Sequence, residues 1–477
     1  MSHGRDTEPP YICIQSGSPL RRGEDGSFSA VDGPARYPSV AGIPIFTPHP
    51  HGLLGAYADS LQQARAAFER QRREWTELAR VSSRPKAGRI ERMLHGAEQN
   101  IALLERSMLP VAEYLAAAGP AQPDVADLLT TAGAYRSPCW WILPYFFQDW
   151  GGTPEFEQVS ALMEESLRAR PDDGSLAVLG SGAGGLVRLG SRLFQRTYGV
   201  DLSITTQLLT QLLFSGEPLR FAVDRADWAQ ATVAPPAGFV NQTELLVADV
   251  YWLPFADGSM SAVTTQYLMD LLGNPLEVAA EIERVLKPGG IWVNFSNPFG
   301  LPGEPSQIGK PNIDELEEIL QPLGFELIDA KRRQFAWLNV DKLTPHGDRN
   351  VQDVHHFVVR KRATTRPRAT RGVHRLSVSW DAVPTRAPFK DFSFSRVQVE
   401  AGEEAREEFR IDVSNMDPLV VDEAQLELFR NLLALVDGQH SFRQIYDTLS
   451  EAGMDLDGDS FRRMMAILVR YHAVFRV

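Results

Sequence analysis

The chain has 477 residues, enough for roughly two to four domains, and an ordinary soluble composition with 43% hydrophobic residues. Its formal charge of −13 argues against nonspecific nucleic-acid or anionic-membrane binding, and two cysteines, Cys13 and Cys139, exclude a disulfide framework or a four-cysteine metal site. Residues 1–10 lack the apolar core of a signal peptide, and the most apolar run, Cys139 to Phe147, is too short to span a bilayer, so a cytoplasmic protein without membrane contact is expected.

Residues 11–47 alternate short β-like runs with Gly, Ser and Asp turns. Their close, Tyr37 to Phe46 (YPSVAGIPIF), resembles the end of the small zinc-ribbon domain that accompanies or activates many methyltransferases. In that family paired cysteines hold zinc; here Ser16 stands where the partner of Cys13 would be, and a structural zinc site needs four ligands. Residues 1–50 therefore read as a degenerate, metal-free ribbon-like arm, with an unrelated β-rich arm as the alternative.

Residues 51–150 read as a helical cap. Leu61, Ala64, Phe68 and Leu78 mark one amphipathic helix, and Ile90, Met93, Leu94, Ala97 and Ile101 a second, broken at Ser83-Arg84-Pro85. Residues 124–150 look helical up to an aromatic cluster of Trp140, Trp141, Tyr145, Phe146, Phe147 and Trp150, a composition more usual in a core than in a site.

The next stretch organises the chain. Leu176 to Leu179 is a short apolar strand, followed by Gly180-Ser181-Gly182-Ala183-Gly184-Gly185. Leu186, Leu189, Leu193 and Phe194 then recur at helical spacing, and a second strand, Tyr198 to Val200, ends at Asp201. Glycines let backbone approach a ligand, a helix N-terminus offers free N–H groups, and an acid about 20 residues on suits a ribose diol. Strand, Gly-rich turn, helix and acid together predict nucleotide binding. The Gly-x-Gly-x-Gly spacing resembles motif I of class I S-adenosylmethionine (SAM)-dependent methyltransferases, although Val178 stands where those enzymes usually carry an acid.

Further strands are expected at Leu245 to Ala248, Ser261 to Thr265, Ile291 to Phe295, Phe325 to Ala330 and Val354 to Val359. Helices are expected over Leu276 to Leu286, ended by Lys287-Pro288-Gly289-Gly290, and over Ile313 to Leu323. This alternation predicts an α/β fold: a doubly wound, Rossmann-like core over residues 151–362. Asp249 followed by Leu253-Pro254-Phe255 and Asp257-Gly258-Ser259, and the LKPGG run, resemble the same methyltransferase class. That resemblance implies SAM as cofactor, with Asp249 and Val250 meeting the adenine. The cofactor set is then Gly180, Ser181, Gly182, Gly184, Asp201, Leu202, Asp249, Val250, Gln266 and Trp150, with no metal.

Phe147-Gln148-Asp149-Trp150 and Tyr267-Leu268-Met269-Asp270 resemble the carnosine N-methyltransferase-like family, in which an Arg-Asp-Trp segment lies over the SAM pocket and an Asp follows three apolar residues. The resemblance spans roughly residues 145–362; Gln148 replaces the arginine, and Ser296-Asn297-Pro298-Phe299-Gly300 replaces the Gly-Pro and Tyr-His that the family carries next. An Asp beyond a parallel strand's C-terminal end can accept an imidazole N–H and fix its tautomer, so Asp270, Tyr267 and His356 are the expected catalytic residues. The alternative for Asp270 is a helix N-cap. His355 and His356 are adjacent on a strand and face opposite sides, so one at most lines a pocket.

Residues 363–415, with Arg366, Arg368, Arg371 and Arg375 among Thr, Pro and Ala, read as a linker or extended arm. Residues 416–477 read as a small three-helix unit, resembling winged-helix domains of the PqqD-like peptide-binding type, suited to dimerisation or to a peptide or protein partner. The expected function is SAM-dependent N-methylation of an imidazole or amine in a small molecule or peptide. The alternatives are an O- or C-methyltransferase in natural-product biosynthesis, or a non-catalytic scaffold of methyltransferase fold.

Overall fold

The structure is a computed structural model, and it describes residues 11–119, 142–223, 228–235, 243–272, 274–301, 310–336, 351–363, 380–386, 392–401, 404–413, 419–421, 423–454, 457–471 and 475–476. Trp140, Trp141 and the arginines 366, 368, 371 and 375 lie outside the described residues, as does most of the stretch read as helical from 124.

The N-terminal arm carries β1 (Leu20–Arg22), β2 (Phe28–Ala30), β3 (Arg36–Tyr37), β4 (Ser39–Val40) and β5 (Ile43–Phe46). Three helices of the cap follow, α1 (Pro50–Val81), α2 (Arg84–Ser107) and α3 (Leu109–Ala118), and then α4 (Leu143–Trp150). At 32 residues, α1 is about 48 Å long. It ends at Ser82, whose backbone is extended, and Pro85 opens α2 in its first turn, where a missing N–H costs nothing.

The core alternates strands and helices: α5 (Pro154–Leu167), β6 (Ser175–Leu179), α6 (Gly185–Leu193), β7 (Arg196–Asp201), α7 (Ile204–Phe214), a β8–β9 hairpin (Leu219–Val223, Ala229–Val233), β10 (Thr243–Ala248), β11 (Met260–Gln266), α8 (Pro275–Val285), β12 (Leu286–Ser296), α9 (Leu316–Leu320), β13 (Phe325–Ala336) and β14 (Val351–Lys361). The main sheet has nine strands in the order β13-β14-β12-β11-β6-β7-β10-β5-β4. From β12 through β5 every pairing is parallel, and β14, β13 and β4 run antiparallel to their neighbours. Strand β6 shows why its sequence is uniformly apolar. Leu176 and Val178 face the core under α5, α6 and α7, while Ala177 and Leu179 face the core under α8. Val178 is thus a packing residue.

Two expectations about boundaries change. The N-terminal arm does not stand apart from the core: β5 pairs in parallel with β10, placing Ile45 opposite Val247 and Phe46 opposite Ala248. Tyr11 seals this junction, packing on Phe46 and Phe255 and donating its hydroxyl to Glu244 Oε2 at 2.7 Å. Helix α8 ends at Val285, and the LKPGG run already belongs to β12, with Gly289 taking a positive φ of 79° in the turn.

The sequence gives no warning of the β8–β9 hairpin. Asn100 of α2 holds it through both amide atoms, Nδ2 to Ala222 O and Ala222 N to Oδ1, each at 2.8 Å. Within 363–415, read as an extended arm, β16 (Phe392–Ala401) and β17 (Glu404–Val413) form a ten-residue antiparallel hairpin, preceded by β15 (Thr385–Arg386) and extended by β18 (Leu419–Val421). The C-terminal unit has α10 (Glu423–Leu435), α11 (Phe442–Glu451), α12 (Gly458–Tyr471) and a final short strand, β19 (Phe475–Arg476), paired with β15. Its core is Phe429, Leu432, Phe442, Ile445 and Phe461, with Trp380 stacked on Phe461.

Candidate active site

Strands β11, β6, β7 and β10 lie side by side and parallel, so their C-terminal ends share one edge of the sheet. The residues that follow those ends are Tyr267, Gly180, Leu202 and Asp249. The topology thereby gathers nearly every site residue expected from the sequence, at the place where open α/β sheets bind ligands.

The glycine loop runs from β6 into α6. Gly180, Gly182 and Gly184 have φ of 63°, 50° and 83°, the left-handed region that a side chain disfavours. A Cβ on Gly184 would meet Thr210 Cγ2 at 2.5 Å; one on Gly182 would meet only Gly180 O, at 3.9 Å. The loop is therefore packed tightly on its α7 side and open at Gly182, a cradle that fits a nucleoside with its amino-acid tail.

Asp201 is tied into this loop. Its Oδ2 accepts from Gly182 N and its Oδ1 from Ser203 N, both at 2.9 Å. A carboxylate is the kind of acceptor a ribose diol requires. Tyr57 of α1 donates to Leu202 O at 3.1 Å, which brings the cap to the C-terminal end of β7. Burial, then the charge of Asp201, raises the Tyr57 phenol pKa. Ser181 turns inward, its Oγ accepting from Gln207 Nε2 at 3.1 Å. That buried amide also meets Gly199 O and Leu246 O, joining α7 to the loop, β7 and β10.

The Asp-Trp segment grips the loop from behind. Trp150 Nε1 donates to Ala183 O at 2.7 Å, and Asp149 Oδ2 accepts from Gly185 N at 3.0 Å. Two neighbouring residues thus fix the backbone on both sides of Gly184, and Asp149 caps α6, where a carboxylate also meets the helix dipole favourably. Burial pushes the Asp149 carboxyl up to about 7, against the Gly185 N–H and Arg188. Arg188 lies over the Trp150 ring, 4.7 Å from its centroid.

Asp249 is buried after β10 and accepts from Tyr251 N at 3.0 Å. The loop beyond it is anchored by Glu281 and Arg284 of α8. Glu281 Oε1 accepts from Leu253 N at 2.9 Å, and Arg284 donates to Leu253 O at 2.9 Å and Phe255 O at 2.6 Å.

On the other side of the glycine loop, the chain leaves β11 at Gln266 and turns sharply. Tyr267 has φ of 48°, unusual for an aromatic residue, and its N–H bonds Phe295 O at 2.8 Å. Leu268 then packs over the loop, because a Cβ on Gly180 would lie 3.2 Å from Leu268 Cδ1. Asp270 follows in a single 3-10 turn, Met269–Leu271. The helix-cap alternative does not describe it: Asn274 occupies the cap position of α8, and Asp270 Oδ2 instead accepts from Asn297 Nδ2 at 2.8 Å. Asp270 Oδ1 is buried and has no hydrogen-bond partner among the described residues. Burial raises the Asp270 pKa, opposed by Asn297 and by the charge of Lys310. Burial likewise raises the Tyr267 phenol, helped by Asp270 and Tyr145.

His356 has another occupation. It lies opposite Phe295 in the β12–β14 pairing, fully buried, with Nε2 at 2.9 Å from Ser166 Oγ of α5. Ser166 spends its proton on Leu162 O, so Nε2 donates and the ring is a neutral packing residue. Burial, then Arg333, pushes its pKa down to about 4. The expected catalytic role for His356 is withdrawn. Sequence reasoning missed Tyr57 and Gln207, met Asp149 only within the Asp-Trp resemblance, and met Asn297 only as a departure from a pattern. Gln207 carried a signal, a lone amide in the apolar run Ile204 to Phe214, but nothing in the sequence marked its partners.

In the N-terminal arm, Cys13 Sγ lies 3.3 Å from Tyr37 Oη and accepts from Ser16 N at 3.4 Å. Among the described residues no three His, Cys, Asp or Glu side chains are grouped to hold a metal ion, and no helix is long and apolar enough to cross a membrane.

Residues 177–294 match the family model described as a methyltransferase domain. The chain is 33% identical over 150 residues to an uncharacterized chloroplastic methyltransferase of Arabidopsis thaliana, covering 30% of this chain and 36% of that protein. It is 28% identical over 111 residues to a Mycolicibacterium smegmatis protein named "Probable S-adenosylmethionine-dependent methyltransferase", covering 22% of this chain and 43% of that one. The chain thus spans less than half the length of these two relatives. A SAM-dependent methyltransferase structure from Methanosarcina mazei matches 43% of this chain and 98% of its own at 16% identity, with a TM-score of 0.29. The strand order, the glycine loop and the matched family model lead to one conclusion: residues 177–294 match a methyltransferase domain, and they lie in a Rossmann-like α/β core.

Proposed function

We propose that the chain methylates nitrogen, on an imidazole or amine of a small molecule or peptide. The observation that carries this reading is Asp270, two residues beyond the Leu268 that packs on the glycine loop, with Oδ2 held by Asn297 and a buried Oδ1 that has no hydrogen-bond partner among the described residues. When bound, SAM supplies a methyl group activated by a positive sulfonium. Gly180, Gly182 and Gly184 would line its tail and sugar, Asp201 and Leu202 its ribose, and Asp249 and Val250 its adenine. Gln266 would close the pocket at the end of β11, and Trp150 would act from behind the loop by holding Ala183.

For an imidazole acceptor, Asp270 takes the N–H of one nitrogen. That fixes the tautomer and leaves the lone pair of the other nitrogen as nucleophile. The same carboxylate stabilises the positive charge that develops on the ring. Tyr267, whose phenol feels the charge of Asp270, supplies an aromatic ring near the carboxylate. The resemblance of Tyr267 to Asp270 to the carnosine N-methyltransferase-like pattern supports the same acceptor class. In this reading residues 151–362 are the catalytic domain, 51–150 its cap and 1–50 an arm completing the sheet. Residues 363–415 join it to a winged-helix-like or PqqD-like unit, 416–477, that serves dimerisation or a peptide or protein partner in the cytoplasm.

Asp270→Asn tests the reading. Histidine, histidine-containing dipeptides and primary amines are offered with SAM, and products are identified by mass spectrometry. The variant is expected to bind SAM like the wild type and to lose at least about a hundredfold in kcat, since an amide can present a donor where an acceptor is needed. Near-normal turnover on nitrogen would remove Asp270 from the chemistry.

A further inference from the structure

We propose that Asn297 is a positioning residue that selects the acceptor: by occupying Oδ2 of Asp270 it presents Oδ1 to a single N–H of an imidazole- or amine-bearing molecule. The inference rests on the N-methylation reading and assigns a second residue to that site. Asn297 lies just beyond β12, the strand next to β11, so the topology brings its side chain across to the 3-10 turn that carries Asp270. The strand end that places it is itself well fixed. Asn294 Nδ2 donates to Ser296 Oγ and to His355 O, and Ser296 Oγ donates to Asn297 O. Tyr267, which shapes the turn before Asp270, hangs from the same strand through Phe295 O. Two neighbouring strand ends are therefore cross-linked around one carboxylate.

An amide donor suits this task. It carries no charge, so it orients the carboxylate without competing for a cationic acceptor as a lysine or arginine would. It also favours the ionised form of a buried acid, because a hydrogen bond to the charged form offsets desolvation. Among the described residues, the groups that act on Asp270 are Tyr267 on its own segment, Asn297, and Lys310 on the approach to α9; Tyr145 of α4 acts on Tyr267 in turn. With Asn297 removed, burial and Tyr267 act on Asp270 opposed chiefly by Lys310. The carboxyl group then keeps its proton to higher pH than in the wild type, and a protonated carboxyl offers an N–H fewer acceptor positions.

The test uses the full chain loaded with S-adenosylhomocysteine and free imidazole as probe, titrated calorimetrically at pH 7 and pH 9. Comparing the two pH values in wild type and in Asn297→Leu cancels the titration of imidazole itself. The wild type is expected to bind saturably at both. Asn297→Leu is expected to bind several-fold more weakly at pH 7 and to recover part of that loss at pH 9, as the carboxyl ionises. S-adenosylhomocysteine affinity and melting temperature serve as fold controls, and Asn297→Ala replaces the leucine variant if either fails. Equal imidazole affinities, or a loss that is the same at both pH values, would overturn the role of Asn297 while leaving Asp270 in place. Absence of imidazole binding by the wild type would instead overturn the N–H acceptor reading, and the role of Asn297 with it.

Discussion

Asp201→Ala is expected to weaken SAM binding by at least tenfold and to lower stability at the same time. Both effects follow from its bonds. The carboxylate meets Gly182 N and Ser203 N, two backbone donors that alanine would leave without a partner. Each unsatisfied buried donor costs about 1–3 kcal/mol, so a few kcal/mol of stability should go with the side chain. The proposed ribose contact would add a charge-assisted bond on the ligand side, about 1.5–3 kcal/mol. Calorimetric titration with SAM separates the two terms, since affinity is read on protein that is still folded. Unchanged affinity alongside a lowered Tm would make Asp201 a brace for the loop and nothing more.

Glu281→Ala is expected to give the larger loss of stability. Glu281 is 3% exposed and bonds Arg284 through both oxygens while accepting from Leu253 N. Removing it leaves the Leu253 N–H without its acceptor and takes from Arg284 the buried one of its two carboxylate partners, the other being Asp257. Breaking a buried pair in this way typically costs about 3–5 kcal/mol, which is of the order of 10 °C in Tm. Because the loop it anchors follows Asp249, the adenine side should loosen as well, and SAM affinity should fall with Tm. Glu281→Gln keeps an acceptor for Leu253 N and should recover part of both. A melting curve for Glu281→Ala within a degree or two of wild type would contradict the role given to this network.

The sequence exposes those features that local rules govern. The Gly180–Gly184 loop, Asp201 and Asp249 were legible because a parallel strand must be apolar, its exit must turn, and a ligand edge must carry polar groups. The strand and helix alternation from Leu176 to Val359 followed from the same periodicities. What stayed hidden depends on contacts between distant segments. Asn297 meets Asp270 across 27 positions and Gly185 meets Asp149 across 36. No spacing rule links such residues, so Asp149 was passed over for Trp150, and Asn297 read only as a departure from a pattern. His356 shows the converse error. A histidine in a strand near the site looked chemical, but the β14 register turns it onto Ser166. The pairing of the arm with β10 was not legible because Ile43 to Phe46 is too short to reveal its partner.

The most direct test of the account is the fate of the methyl group. The full chain is incubated with methyl-labelled SAM and a matched set of imidazole, amine, hydroxyl and activated-carbon acceptors, and the site of label is read by mass spectrometry. The account predicts label on nitrogen of an imidazole or amine, lost in Asp270→Asn. Label on oxygen or carbon, or SAM bound without transfer to any acceptor in the set, would contradict it.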